Sequence, residues 1–181
     1  MQRREFNQHL QRSAIALALA PWWGAIAAPT DKPRAWRTNP FALGVASGRP
    51  RADSVVLWTR LLFSEEDRAG GTEALRVQVE VFADAALRRR VQVSEVVTDE
   101  LRAHSVHMHL QKLQPSTDYW YRFKQGDAFS TVGHTRTAPA ANADVQQLRI
   151  ALSSCQHYEQ GQFIAHADIA KQPLDLSLIH I

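Results

Sequence analysis

The sequence has one cysteine in 181 residues, Cys155. No internal disulfide can form, so a packed core has to hold the fold. In an oxidising compartment the lone thiol is free, bridged to another chain or bound to a metal. Long apolar runs are also scarce. The uncharged stretch from Ser13 to Ala28 is broken by Pro21 and falls short of the ~20 apolar residues of a spanning helix, which argues against a stable membrane anchor. Charge of one sign is scarce too. The formal net charge of +3 owes most of its excess to the first residues, where Arg3, Arg4 and Arg12 stand against Glu5. Beyond residue 27 there are 18 basic and 17 acidic residues, a net charge of +1, and no nucleic-acid-binding signature. The run Arg88-Arg89-Arg90 is most simply a solvated turn or strand edge.

What is present begins with an export signal in outline, residues 1–27. Two arginines precede a short apolar middle, and Ala25-Ile-Ala27 offers the small side chains that signal peptidase accepts, placing the cut after Ala27. Arg3 and Arg4, with Phe6 two positions on, resemble a twin-arginine signal, which addresses a folded protein to the twin-arginine export machinery. The alternative is an ordinary secretory signal with two basic residues. Either signal implies a periplasmic or extracellular location after cleavage. The chain is 45% apolar, enough material for a core, and the part beyond residue 27 suits one domain, or one domain plus a piece of another.

Residues 38–139 read as strands. Phe41 to Val45 leads to a turn at Ser47-Gly-Arg-Pro50, and Asp53 to Thr59 is dense in β-branched and aromatic residues. Leu75-Arg-Val-Gln-Val-Glu-Val81 alternates with period two, as do Val91-Gln-Val93, Ser105 to Leu110 and Tyr119 to Phe123, so one face of each is buried. Short strands at this spacing imply a mainly β chain built on an immunoglobulin/fibronectin-like β-sandwich. Residues 140–147 read as a linker.

Residues 148–176 differ. Leu148 to Leu152 is a short apolar strand, and Gly161 to Ala170 has helical spacing. Strand, polar loop and helix are how an α/β domain begins, and residues past the carboxyl end of such a strand line the ligand crevice, where Ser153, Ser154, Cys155 and Gln156 fall.

Four separated motifs carry a resemblance. Phe41-Ala-Leu-Gly-Val-Ala-Ser-Gly-Arg-Pro50 with Asp53 to Arg60, Leu113-Gln-Pro-Ser-Thr-Asp-Tyr-Trp-Tyr-Arg-Phe123, Thr135-Arg-Thr-Ala-Pro139 and Ser153-Ser-Cys-Gln-His-Tyr-Glu-Gln-Gly161 resemble, in order and spacing, the PhoD-like alkaline phosphatase family. The resemblance implies an accessory β domain followed by the start of an α/β metallophosphatase domain. It also implies phosphate-ester substrates, an iron and calcium centre, and the role of iron ligand for Cys155. A thiolate is a strong anionic donor for a transition metal, and such a centre can activate an oxygen nucleophile. After Leu176 the family continues through an apolar strand into Gly-Asp-Tyr, whereas this chain reads Ser177-Leu-Ile-His-Ile181. Residues 177–181 are therefore set apart as an anomalous terminus, either the end of a gene fragment or foreign sequence, and the chain is expected to be a truncated enzyme that binds metal poorly and hydrolyses little, the catalytic residues falling downstream.

Other readings compete. His107 and His109 share one strand face with His104 nearby, a candidate zinc site for which an exposed strand face is the better reading. Ser153 and Ser154 lack the Gly-x-Ser-x-Gly elbow of a nucleophilic serine. Without the resemblance, Cys155 is an ordinary small apolar residue. The alternative function is a secreted binding or adhesion module without catalysis, for which residues 148–175 would have no use.

Overall fold

Alternating strands need a covered face, and two sheets stacked face to face provide one for each other. The structure, a computed structural model, describes residues 34–68, 74–154, 157 and 159–179. Its β part runs β1 (Val45–Gly48), β2 (Val55–Arg60), the single-turn helix α1 (Glu65–Arg68), β3 (Leu75–Phe82), β4 (Arg90–Thr98), β5 (Ser105–Leu110), β6 (Asp118–Gln125), β7 (Ala128–Phe129) and β8 (Gly133–Arg136). One antiparallel sheet has the order β1-β2-β5, and the other has β4-β3-β6 with β7 and β8 in succession on β6. Ser130 joins those last two into one interrupted strand: its N–H donates to the Phe123 carbonyl and its hydroxyl accepts from the Phe123 N–H, both at 2.9 Å. Three strands on four is the arrangement of an immunoglobulin/fibronectin-like sandwich.

The residues that alternate in the sequence fill the space between the sheets. Val55, Leu57 and Thr59 of β2, Val106 and Leu110 of β5, Val77, Val79 and Val81 of β3, and Tyr119, Tyr121 and Phe123 of β6 are all buried. Each apolar side chain of that size contributes ~1.5–3 kcal/mol through burial. Tyr119 also turns its hydroxyl back to accept the Gln114 N–H at 2.9 Å, the tyrosine corner that fixes the entry to β6.

Two boundaries differ from the sequence reading. Phe41 to Gly44 is a turn rather than a strand, closed by the Gly44 N–H on the Phe41 carbonyl with Gly44 at φ +72°. β1 accordingly starts at Val45 and takes in Ser47 and Gly48, and the reversal falls at Arg49-Pro50. Arg88 and Arg89 are exposed in the β3–β4 turn, while Arg90 opens β4 and pairs with Glu80 at 3.0 Å.

A segment before β1 is strapped across the sandwich. Ser64 caps α1, its hydroxyl accepting the Asp67 N–H at 3.2 Å and donating to the Asp67 carboxylate at 2.8 Å. That carboxylate also accepts the N–H groups of Arg37 (3.0 Å) and Thr38 (3.3 Å). Burial opposes its charge, but these hydrogen bonds and the Arg34 guanidinium outweigh burial and hold the Asp67 carboxyl below its usual range. Further along the same segment, the Trp36 indole donates to the Gln125 side chain at 2.8 Å, and the Arg34 guanidinium lies over the rings of Trp36 and Phe63. The Arg34 carbonyl passes so close to Gly126 that a Cβ there would lie 1.9 Å from it.

At the centre of the core, burial pushes the Tyr121 phenol up to about 12, with the Ser47 side chain working in the opposite sense. The folded pKa lies above the unfolded value near 10, so the stability Tyr121 contributes is complete below about pH 10 and is lost as pH rises towards 12. Urea unfolding is expected to show a loss of about 1.4 kcal/mol from this group by about pH 11. The alkaline slope should flatten in Tyr121→Phe; an unchanged slope would remove Tyr121 as its source.

Candidate functional site

Beyond residue 139 the period changes and so does the architecture. β9 (Ile150–Ser153) and β10 (Leu176–Ile179) pair in parallel, Ile150 opposite Leu176 and Ser153 opposite Ile179, with the short helix α2 (Ile164–Ile169) between them. Parallel pairing requires this crossover, and it brings the carboxyl ends of both strands to one edge. The loop after β9 therefore opens where α/β sheets bind their ligands. Gly161, at φ +100°, and Phe163, at φ +52°, turn the chain into α2, which is shorter than the spacing from Gly161 to Ala170 predicts because both lie outside the helical region. Leu152, Ile164 and Leu148 are 75%, 73% and 62% exposed, so the apolar faces of this unit have little cover among the described residues.

Asp175 fastens the unit to itself and to the sandwich. Its carboxylate accepts the Arg149 N–H at 2.9 Å at the start of β9 and meets the Arg136 guanidinium of β8 at 3.4 Å. Arg136 in turn lies 4.0 Å from Asp118, which also holds the His134 ring at 2.9 Å. These groups border a cavity of about 450 Å³ between β8 and β10, with Ser47 and Gly48 on its sandwich side. The exposed pairs hold orientation more than they add stability. Sequence reasoning missed this junction. Its one signal was the charge of Arg136 and Asp175 at the edges of otherwise apolar or β-forming segments.

The residues singled out from sequence are dispersed. Cys155, with Gln156, and the signal residues Arg3, Arg4, Ala25 and Ala27 lie outside the described residues. Ser153 ends β9 half-buried, and Ser154 is exposed just beyond it. His107 and His109 are exposed on the outer face of β5. His104 is buried in the turn before β5, its ring 4.6 Å from that of Phe63 and its Nδ1 without a partner among the described residues. Burial pushes the His104 pKa down against the pull of the Glu100 and Asp99 carboxylates. No group of three or more His, Cys, Asp or Glu side chains among the described residues stands ready to hold a metal ion. No helix among them is long and apolar enough to cross a membrane.

Comparison with known proteins finds a match of residues 26–139 to the family described as PhoD-like phosphatase, N-terminal domain. Over 182 aligned residues the chain is 41% identical to alkaline phosphatase D of Bacillus subtilis (strain 168), covering 96% of this chain and 30% of that protein. A solved structure of PhoD superposes with a TM-score of 0.75 at 42% identity, covering 81% of this chain and 28% of that one. The chain thus spans under a third of the length of either relative.

Proposed function

Since the chain belongs to the PhoD-like phosphatase family, we propose that it is the amino-terminal part of a secreted alkaline phosphatase that hydrolyses phosphate esters. One observation carries this reading. Identity at 41% covers 96% of the chain, which leaves too few unmatched residues for the match to stop at the β domain. It has to run on through β9 and the Ser153-Ser-Cys-Gln loop, the segment that a simple binding module would not need. The exposed apolar faces of β9, α2 and β10 support the same view, since two strands alone make a marginal sheet and a larger α/β domain would cover them.

In this reading the sandwich is an accessory domain, and Arg136 with Asp175 orients the first βαβ unit against it. The loop after β9 supplies Cys155 to an iron and calcium centre. The described residues do not by themselves fit such a centre, because no three metal-ligating side chains among them converge and affinity needs several donors held together. No step is routed through the metals. The chemistry proposed for the protein is transfer of a phosphoryl group to water, releasing inorganic phosphate. Residues 1–27 act as a twin-arginine signal that delivers the protein to the periplasm or beyond.

The test is to express the full-length protein in cells and assay the exported fraction for phosphate release from a monoester and from a diester. Activity on at least one is expected there, and Arg3→Lys with Arg4→Lys should leave it in the cytoplasm. No release from either ester would overturn the phosphatase reading; export of the double variant would overturn the twin-arginine one.

A further inference from the structure

The His107–His109 pair, unused by the proposed hydrolysis, lines a groove on the outer face of the β1-β2-β5 sheet. Both rings are exposed, opposite Trp58 and Val56 of β2. Arg49, Arg51 and Gln111 complete this groove of about 620 Å³, and Asp53 is the one carboxylate among its described walls. Among the described residues neither the Arg49 nor the Arg51 guanidinium has an ion-pair or hydrogen-bonding partner.

The backbone beneath them is held from both sides. The Arg51 N–H donates to the Ser54 carbonyl at 2.8 Å, the Arg51 carbonyl accepts from Ala138 at 3.0 Å, and the Asp53 carbonyl accepts from Leu113 at 2.9 Å. Arg49 sits at φ +48°, a conformation where glycine or asparagine costs less, so the turn holds a long cation at a strained position. Two guanidiniums offer donors and no acceptors, and the imidazoles and the Gln111 amide add further donors. Against a single carboxylate that balance repels a divalent cation and attracts an oxyanion, which weighs against zinc at the histidine pair.

We propose that this groove binds phosphoryl groups. That it takes an oxyanion follows from its charge and donors; the choice of phosphate among oxyanions rests on the phosphatase reading. Guanidinium forks match the oxygen spacing of a phosphoryl group in a way that a single ammonium does not.

Titration of the 181-residue chain with inorganic phosphate and with long-chain polyphosphate, followed by amide NMR, tests it. Saturable shifts confined to the Arg49–Ser54 turn and to β5 are expected, weakened about tenfold or more in an Arg49→Ala/Arg51→Ala variant. Because these side chains are exposed, the variant should keep the parent spectrum elsewhere; His107→Ala/His109→Ala gives an independent line, with weakening of several-fold. Polyphosphate binding tighter than phosphate identifies a polymeric ligand, and equal affinity per phosphoryl group identifies a single one; both support the site. Shifts that do not saturate, undiminished binding in the double arginine variant, acetate binding as tightly as phosphate, or saturable zinc binding at the histidines would overturn it. Retained phosphate binding beside a hydrolytically inactive full-length protein would remove the phosphatase reading and leave the groove.

Discussion

A Cys155→Ser variant of the full-length protein is expected to lose its bound iron and at least about a hundredfold of its phosphatase activity. The reason is donor chemistry. A thiolate forms near neutral pH when a metal stabilises it, whereas a serine hydroxyl stays protonated and binds a transition metal weakly. Cys155 follows β9 in the chain and the described residues of the sandwich core all precede it, so the sandwich should keep its fold while metal analysis shows the iron gone. Iron content equal to the parent would sink the ligand assignment even if activity fell. Low activity with normal iron would instead point to a role in shaping the loop.

Gly133→Ala is expected to destabilise the sandwich strongly, through its core. Gly133 of β8 lies opposite Tyr121 of β6, and a Cβ there would stand 2.3 Å from the ring carbon Cζ and 2.7 Å from the hydroxyl oxygen. The ring is 1% exposed and cannot swing away. Overpacking of a tight core costs ~1–3 kcal/mol and sometimes more, and the closeness of this contact puts the expected loss at about 3 kcal/mol. For a domain of this size that lowers the melting temperature on the order of 10–20 °C. Combining it with Tyr121→Leu, which removes the ring, should recover part of the loss relative to the sum of the single variants. A melting temperature within about 2 °C of the parent would show that β8 can shift aside at little cost.

Much of the sandwich was legible because burial on one face leaves a period-two trace. Leu75 to Val81 and Tyr119 to Phe123 read as strands and form β3 and β6, with Val77, Val79, Tyr119 and Phe123 turned inward as the alternation requires. Phe41 to Val45 misled because three apolar residues and a valine read as a strand, while Gly44 at positive φ makes the turn that puts Phe41 in the core. The candidate site was legible as chemistry more than as geometry. A strand leading to Ser153-Ser-Cys-Gln and then a helix placed a loop at a sheet edge, and the parallel register of β9 and β10 agrees with it.

The sequence by itself determined the balanced charge beyond residue 27, the single cysteine, the alternating strands and the family motifs, all of which are written in neighbouring residues. The tertiary structure alone decided which distant residues meet. Asp67 with Arg37, Trp36 with Gln125, Gly133 with Tyr121, Arg136 with Asp175, and Arg49 and Arg51 with His107 and His109 are such meetings. The physical reason is that a side chain's face follows from local periodicity, whereas its partner depends on strand order and on the path of loops, and these are settled only when the whole core closes.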